Sequence, residues 1–231
     1  MTAHQFRSPF SVASQLLQGK SLYRSLFNLT LKNYAIAGKV LDIGSKNNSS
    51  SYYSYFKVDS EAEIIYTDIQ KADNVTYLDV EKPFPFPHED VDVVLAFNLF
   101  EHIYQYELAP QEMFRILRIG GSLFVVVPFL HEYHADPDDY FRFTDSSLRR
   151  IWEDAGLECV HMEAIGEGLL TACATKLATL IVPRWGRSGI AALLYLITTT
   201  IDRLIALRPR IGGKTVPVRF ALGYFAIFQK P

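Results

Sequence analysis

The sequence predicts an α/β protein in which helices cover both faces of a mostly parallel β-sheet. Three observations carry this. Short, nearly all-apolar runs of strand length recur along the chain. Segments with helical spacing separate them. Glycine or an acidic residue stands where the first strands end. A strand buried on both faces reads as a continuous apolar run, and successive parallel strands need a helical crossover between them.

Residues 10–35 read as helix, with Leu16, Leu22, Leu26, Leu29 and Leu31 at loosely helical intervals and Gly19 as a break. The first strand covers 40–43 and ends at Gly44. A short helix is expected over 50–56. Strand two, 63–67, closes on Asp68, and strand three, 75–78, closes on Asp79. Strand four covers 91–96. A helix over 110–117 stops at the Arg118-Ile119-Gly120-Gly121 run, and strand five, 122–127, ends at Pro128. Helix 144–156 has Thr144 or Asp145 as its N-cap and Gly156 as its C-cap. Strand six covers 160–165.

Residues 167–211 break the alternation, being mostly helical and very apolar. Ile190, Leu194, Ile197 and Ile201, with Leu204 or Ile205, share one face, and Thr198, Thr199, Asp202 and Arg203 the other. The uncharged stretch, Gly189 to Ile201, is thirteen residues, whereas a membrane span needs ~20. An amphipathic helix is expected here, not a membrane-crossing one. A final strand covers 219–229.

The 231 residues are 49% apolar and 13% aromatic, which excludes a disordered chain and suits one domain. Cys159 and Cys173 form no motif or disulfide framework, so a reduced, cytoplasmic setting is expected. The first 30 residues lack the apolar core of a signal peptide. The net charge of −2 is uneven. Residues 1–41 hold five Lys/Arg and no acid, and residues 176–231 hold nine against Asp202 alone. Two basic, apolar flanks enclose an acidic centre. They suggest an anionic membrane surface met through 1–35 and 167–211, with a peripheral location there, or else a homodimer. No nucleic-acid partner is expected.

Ligands of parallel sheets bind at the carboxyl ends of the strands. That rule selects residues 42–46, Asp68, Asp79, Phe97, Asn98 and the segment after Pro128. An acid such as Asp68 can accept hydrogen bonds from both hydroxyls of a ribose, and Asp79 from an adenine amino group. Gly44 lets backbone approach a ligand where a Cβ would collide. The G-x-G-x-x-G fingerprint of nicotinamide enzymes is absent. Tyr53 and Lys57 form a Tyr-x-x-x-Lys pair, but directly after the first strand, where a reductase does not carry it.

The runs "VLDIGS", "IIYTDI", "VTYLDVEKPFPF", "DVDVVLAFNLFEHI", "EMFRILRIGGSLFVVVP" and "AGLE" follow one another as in the class I S-adenosylmethionine-dependent methyltransferases. The chain resembles their type-11-like group over about 38–165. Its "PFLHEYHADPDDYFRFT" segment is similar to enzymes found with glycan and polysaccharide biosynthesis. The resemblance implies a Rossmann-like sheet of seven strands, the last antiparallel, with S-adenosylmethionine as cofactor. It implies a single domain: helical cap 1–37, cofactor-binding core 38–166, helical insertion 167–211 and final strand 212–231. It places Asp42, Gly44 and Ser45 at the methionine part of the cofactor, with Lys46 nearby. Asp68 and Ile69 fall at ribose and adenine, Asp79 and Val80 at the adenine rim, and Phe97, Asn98 and His102 near the sulfonium. The chain departs from the family at its glycine loop, where only Gly44 of G-x-G-x-G remains and Asn47 and Asn48 stand beyond.

The segment after strand five overhangs the methyl donor and carries His131, His134, Asp136, Asp139, Tyr140 and Arg142. One reading is a structural lid tied by Asp139 and Arg142. Another is an acceptor site for methyl transfer to oxygen of a small-molecule or glycan-type acceptor. There His131 or His134 removes the proton and Arg142 anchors anionic groups. A metal site from His131, His134 and Asp136 lacks the framework of an ordinary zinc site, and none is expected. The rival to an enzyme is a methyltransferase-fold protein that has lost catalysis and serves as a binding partner or at a membrane surface.

Overall fold

The computed structural model describes residues 5–45, 51–207 and 219–231. Seven strands form one sheet: β1 (Lys39–Ile43), β2 (Glu63–Asp68), β3 (Thr76–Tyr77), β4 (Val91–Phe97), β5 (Leu117–Pro128), β6 (Glu158–Ile165) and β7 (Gly223–Gln229). Their spatial order is β3-β2-β1-β4-β5-β7-β6. The expected α/β architecture, with its helical insertion before the last strand, is what the chain adopts.

The apolar runs are buried on both faces, as a covered parallel sheet requires. Val40 pairs with Ile64 on one side and Val93 on the other, and Leu95 with Phe124. Val40, Leu41, Val94, Leu95, Val125 and Val126 have no exposed surface. Each such side chain contributes ~1.5–3 kcal/mol on burial. The last strand runs against the others. Its start meets the end of β6, Leu222 N–H donating to the Ile165 carbonyl, and its end meets the start of β5, Lys230 N–H donating to the Gly121 carbonyl.

Three boundaries differ from expectation. β5 begins at Leu117, the last residue of the expected helix, and continues through the run that should have stopped it. Gly120 takes φ +79°, and the pairing with β4 shifts register between Val91 and Val93, so the glycines bend a strand instead of ending it. β3 shrinks to two exposed edge residues. β7 starts at Gly223, four residues late. A two-residue parallel pairing, Ala35–Ile36 with Lys57–Val58, is too short for any periodicity to reveal.

The expected break at Gly19, with φ +82°, parts the first helical stretch into α1 (Pro9–Leu17) and α2 (Leu22–Leu31). The expected 50–56 helix is a 3₁₀ turn, Ser51–Ser54. Helix α3 spans Leu108–Ile116. Helix α4 (Asp145–Asp154) carries a capping box: the Thr144 hydroxyl accepts from Ser147 N–H and the Ser147 hydroxyl from Thr144 N–H.

By its packing the described chain divides into two compact units, residues 1–31 with 163–223, and 32–162 with 224–231. The first unit holds α1, α2, α5 (Leu169–Ile181) and α6 (Arg184–Ala206), so the N-terminal cap and the apolar insertion share one unit. Helix α6 packs opposite to its hydropathy. Ala191, Ala192, Tyr195, Thr199 and Asp202 are buried, while Ile190, Leu193, Ile197, Ile201 and Leu204 are exposed. Buried carboxylates explain the reversal, because a charge out of water must find partners. Asp202 accepts from Leu170 N–H at 3.2 Å and Thr171 N–H at 2.7 Å, capping α5 from the neighbouring helix. Glu167 accepts from both Arg203 Nε and a second Arg203 nitrogen, at 3.1 and 3.0 Å, and from the Tyr195 and Thr199 hydroxyls. The thirteen-residue argument also underestimated the helix: α6, 23 residues, is long and apolar enough by length and composition to cross a bilayer.

In the second unit Trp152 of α4 is fully buried between Phe100, 5.1 Å away in a T-shaped contact, and Phe228 of β7 at 5.9 Å. Phe100 opens the turn that presents Glu101 and His102. Trp152→Ala should therefore lower stability by ~3–5 kcal/mol, read from urea unfolding. A loss under ~1 kcal/mol would mean that this contact does not anchor the turn.

Candidate active site

The carboxyl ends of β1, β2, β3 and β4 surround a cavity of about 300 Å³. Gly44, Asp68, Ile69, Asp79, Val80, Asn98 and His102 line it, and Asp136, Pro137 and Asp138 contribute a wall from the segment after β5. Seven of the residues expected at a cofactor thus share one concavity, of the size at which small-molecule sites begin.

Backbone conformation builds the floor. Gly44 takes φ +75°, and a Cβ there would come 3.2 Å from Leu99 Cδ1. Asn98 holds φ +51° while its N–H donates to the Val126 carbonyl at 2.8 Å. A non-glycine residue in the left-handed region costs about 1–3 kcal/mol and recurs where a ligand must be met. Asp68 Oδ1 accepts from Gln70 N–H at 2.8 Å, which turns the chain out of β2. Asp79 accepts from Glu81 N–H at 3.1 Å, and Lys82 pairs with it at 2.7 Å. That lysine holds Asp79 below the usual carboxylate range.

Other expected residues stand outside the cavity lining. Asp42 is buried and accepts from the Tyr52 and Tyr53 hydroxyls at 2.5 and 2.7 Å. Its second oxygen, Oδ1, has no hydrogen-bond partner among the described residues. Burial pushes its pKa up to about 6, against the lowering effect of the two tyrosines. Ser45 turns both its N–H and its hydroxyl to the Thr67 carbonyl, at 3.1 and 3.4 Å, so its polar groups serve the sheet. Phe97 is buried against Tyr52 and Phe56. Lys46, Asn47 and Asn48 lie outside the described residues.

The segment after β5 is tied down by Arg142. Its guanidinium donates to both oxygens of Asp139, at 2.5 and 2.6 Å, and to the Phe141 and Glu132 carbonyls. Asp139 is held well below the usual carboxylate range by Arg142, and it also accepts from His134 N–H at 2.8 Å. Arg142 therefore braces the loop through both terminal nitrogens of its guanidinium.

The histidines gather around a residue that sequence reasoning missed. Glu101 is fully buried, and the Nε2 atoms of His102 and His134 each stand 3.8 Å from its Oε1. His102 lines the cavity. His134 lies beside it, the rings 5.0 Å apart, and Glu101 raises the His134 pKa above its ordinary value. His131 lies 4.6 Å from His134 with the rings tilted by 60°, but it does not line the cavity. The available signal for Glu101 was an acid set within the apolar run "AFNLFEHI".

Comparison with known proteins fits this geometry. A family model described as a methyltransferase domain, of the type-11 class, matches residues 41–125, which run from β1 into β5. No curated protein sequence matches significantly. Among solved structures, the [4+2]-cyclase SpnF is 14% identical over 90% of this chain and 81% of its own, with TM-score 0.53. An S-adenosylmethionine-dependent methyltransferase from Methanosarcina mazei is 14% identical over 87% of this chain and 96% of its own, with TM-score 0.50. Phosphoethanolamine N-methyltransferase 2 of Haemonchus contortus, solved with S-adenosyl-L-methionine, is 14% identical over 95% of this chain and 57% of its own, with TM-score 0.50. The fold is the Rossmann-like fold of the class I methyltransferases. Within it, residues 41–125 are the part that matches the methyltransferase-domain model.

The Asp42 environment makes a signed prediction. A carboxyl whose folded pKa is about 6 instead of 3.8 stabilises the fold only while protonated, so its contribution fades as pH rises through 6. Asp42→Asn cannot ionise. Relative to wild type without cofactor, its stability should improve by ~1–3 kcal/mol between acid and neutral pH. Urea midpoints at both pH values check this, and a pH-independent difference would refute it.

Proposed function

We propose that this chain transfers a methyl group from S-adenosylmethionine to an oxygen of a small-molecule or glycan-type acceptor. One observation carries the reading: the cavity in which Gly44, Asp68, Asp79 and Asn98 converge has a histidine–carboxylate cluster at its edge. The four residues suit a nucleoside with an attached amino acid. Gly44 and Asn98 admit backbone approach, Asp68 suits the ribose hydroxyls and Asp79 the adenine amino group, displacing the exposed Lys82. Transfer to a hydroxyl oxygen also requires its proton to leave. His102 and His134 offer basic nitrogens there, and Glu101 stabilises the charge that develops. Arg142, through Asp139, positions the loop that holds His134.

The rival reading is a protein of this fold that does something other than methyl transfer. The neighbour named as a [4+2]-cyclase gives it weight, since the fold alone does not determine the reaction. Calorimetry with S-adenosylmethionine tests the cofactor site, and release of S-adenosylhomocysteine on turnover separates the two, since a repurposed fold would not consume the methyl donor. Asp68→Ala should weaken that binding ~10-fold or more, from the ~1.5–3 kcal/mol of a charged hydrogen bond. Unchanged affinity would remove Asp68 from the cofactor site. His134→Ala should lose ~10²-fold in turnover with cofactor affinity retained. Turnover no lower than that of His131→Ala would remove His134 from proton transfer.

A second proposal concerns where the acceptor is met. The outward surface of α5 and α6 is apolar along its length, with Leu180, Ile181, Leu193, Ile197, Ile201 and Leu204 exposed and Trp185 91% exposed. Lys176, Arg184 and Arg187 lie along the same two helices. We propose that this surface lies in an anionic membrane interface, which combines apolar insertion with attraction of basic residues. The chain should sediment with anionic vesicles at low ionic strength and release as salt screens the charge. A soluble dimer that ignores vesicles would assign the face to a second subunit instead.

A further inference from the structure

We propose that Glu101, His102 and His134 bind a divalent first-row transition ion such as zinc at the wall of the cavity. The argument starts from the tautomers. His102 Nδ1 lies 2.6 Å from the Asp138 carbonyl oxygen and His134 Nδ1 3.2 Å from the Glu132 carbonyl oxygen. A carbonyl can only accept, so both Nδ1 atoms carry the proton and both neutral rings present the lone pair of Nε2. Those two lone pairs converge on the same Glu101 oxygen, each at 3.8 Å. Three electron-pair donors thus face one another with no donor between them.

Glu101 supplies the independent observation. Its side chain has no exposed surface, and neither carboxylate oxygen has a hydrogen-bond partner among the described residues. Leaving a carboxylate in this state costs several kcal/mol unless a cation answers it. The spacing suits an ion better than a direct hydrogen bond. Atoms bound ~2.0–2.1 Å from a tetrahedral centre stand about 3.4 Å apart, and here all three ligand atoms lie within 4.8 Å of one another. The two histidine–Glu101 separations, 3.8 Å each, need ~0.4 Å of closure to reach that spacing.

The surroundings match as well. A histidine that ligates a metal donates its other N–H to a carbonyl or carboxylate, which fixes the ring, and both rings here do so. Two imidazoles and one carboxylate favour zinc or a neighbouring transition ion over magnesium or calcium, which prefer oxygen sets. Among the described residues this is the group of three that comes together, and not the His131, His134 and Asp136 trio weighed from sequence. Three protein ligands leave a coordination position for water or an acceptor oxygen. On the methyl-transfer reading, the ion would then lower the acceptor hydroxyl's pKa in place of a histidine base. The binding itself does not depend on that reading.

The test is calorimetric titration of the full chain with zinc chloride, after dialysis against chelator and without S-adenosylmethionine. The expected result is one ion per chain, with affinity lowered at least ~10-fold in Glu101→Gln and in His134→Ala. Cobalt added to wild type should give the visible absorption of a low-symmetry site, a readout that needs no variant to fold. Wild type that takes up no zinc and gives no cobalt spectrum overturns the proposal. So does undiminished affinity in both folded variants, and the cluster is then a protonated His134 paired with Glu101. Parallel titration with S-adenosylmethionine keeps the two readings apart, because its failure would remove the methyltransferase assignment while leaving the ion site standing.

Discussion

The cavity depends on one topological constraint: β1 and β4 are hydrogen-bonded neighbours whose chains leave in opposite directions. After β1 the chain crosses toward β2 and β3, and after β4 it crosses toward β5. No connection can cover the space above both ends, so a crevice opens there. Everything at the site answers to that opening. Gly44 and Asn98 sit at the two lips, and both hold a positive φ so that the chain can turn aside at once. The acids at the ends of β2 and β3 extend the crevice along the sheet, and the braced segment after β5 forms its far wall.

Buried carboxylates decide orientation in both units. In the helical unit Glu167 and Asp202 draw the polar stripe of α6 inward and leave its aliphatic stripe outside. In the other unit Asp42 gathers two tyrosines below the strand end, and Asp139 locks Arg142 into the loop. Glu101 differs from all of these, being as deeply buried without equivalent partners. Asp42 leaves one oxygen without a partner, but Glu101 leaves both, and that makes it chemically informative.

What the sequence disclosed divides along the same physical line. Strand cores, strand-end acids and Gly44 are local signals, set by period two, burial and backbone conformation, and they fell where expected. Glu101 and His134 are brought together only by tertiary structure, and no spacing rule joins residues on either side of a whole strand. Hydropathy found the two faces of α6 but could not tell which one turns inward, because that depends on Glu167 at the end of β6 and on the start of α5. Ser45 was offered to a ligand because its type allows it, whereas Thr67 on the neighbouring strand occupies it. The Arg118-Ile119-Gly120-Gly121 run has the composition of a helix stop, yet pairing with Lys230, remote in sequence, makes it strand.

The place of β7 has a consequence for how the molecule is made. It inserts between β5 and β6, so β6 has no sheet neighbour until both α5 and α6 have been synthesised. During translation the five earlier strands can assemble while β5 still presents a bare edge, and the aliphatic helices emerge before the strand that closes the sheet. An open apolar edge and an exposed greasy helix pair coexist for that interval, which is the state from which chains aggregate. Closing the sheet therefore waits on the last residues of the chain to be made.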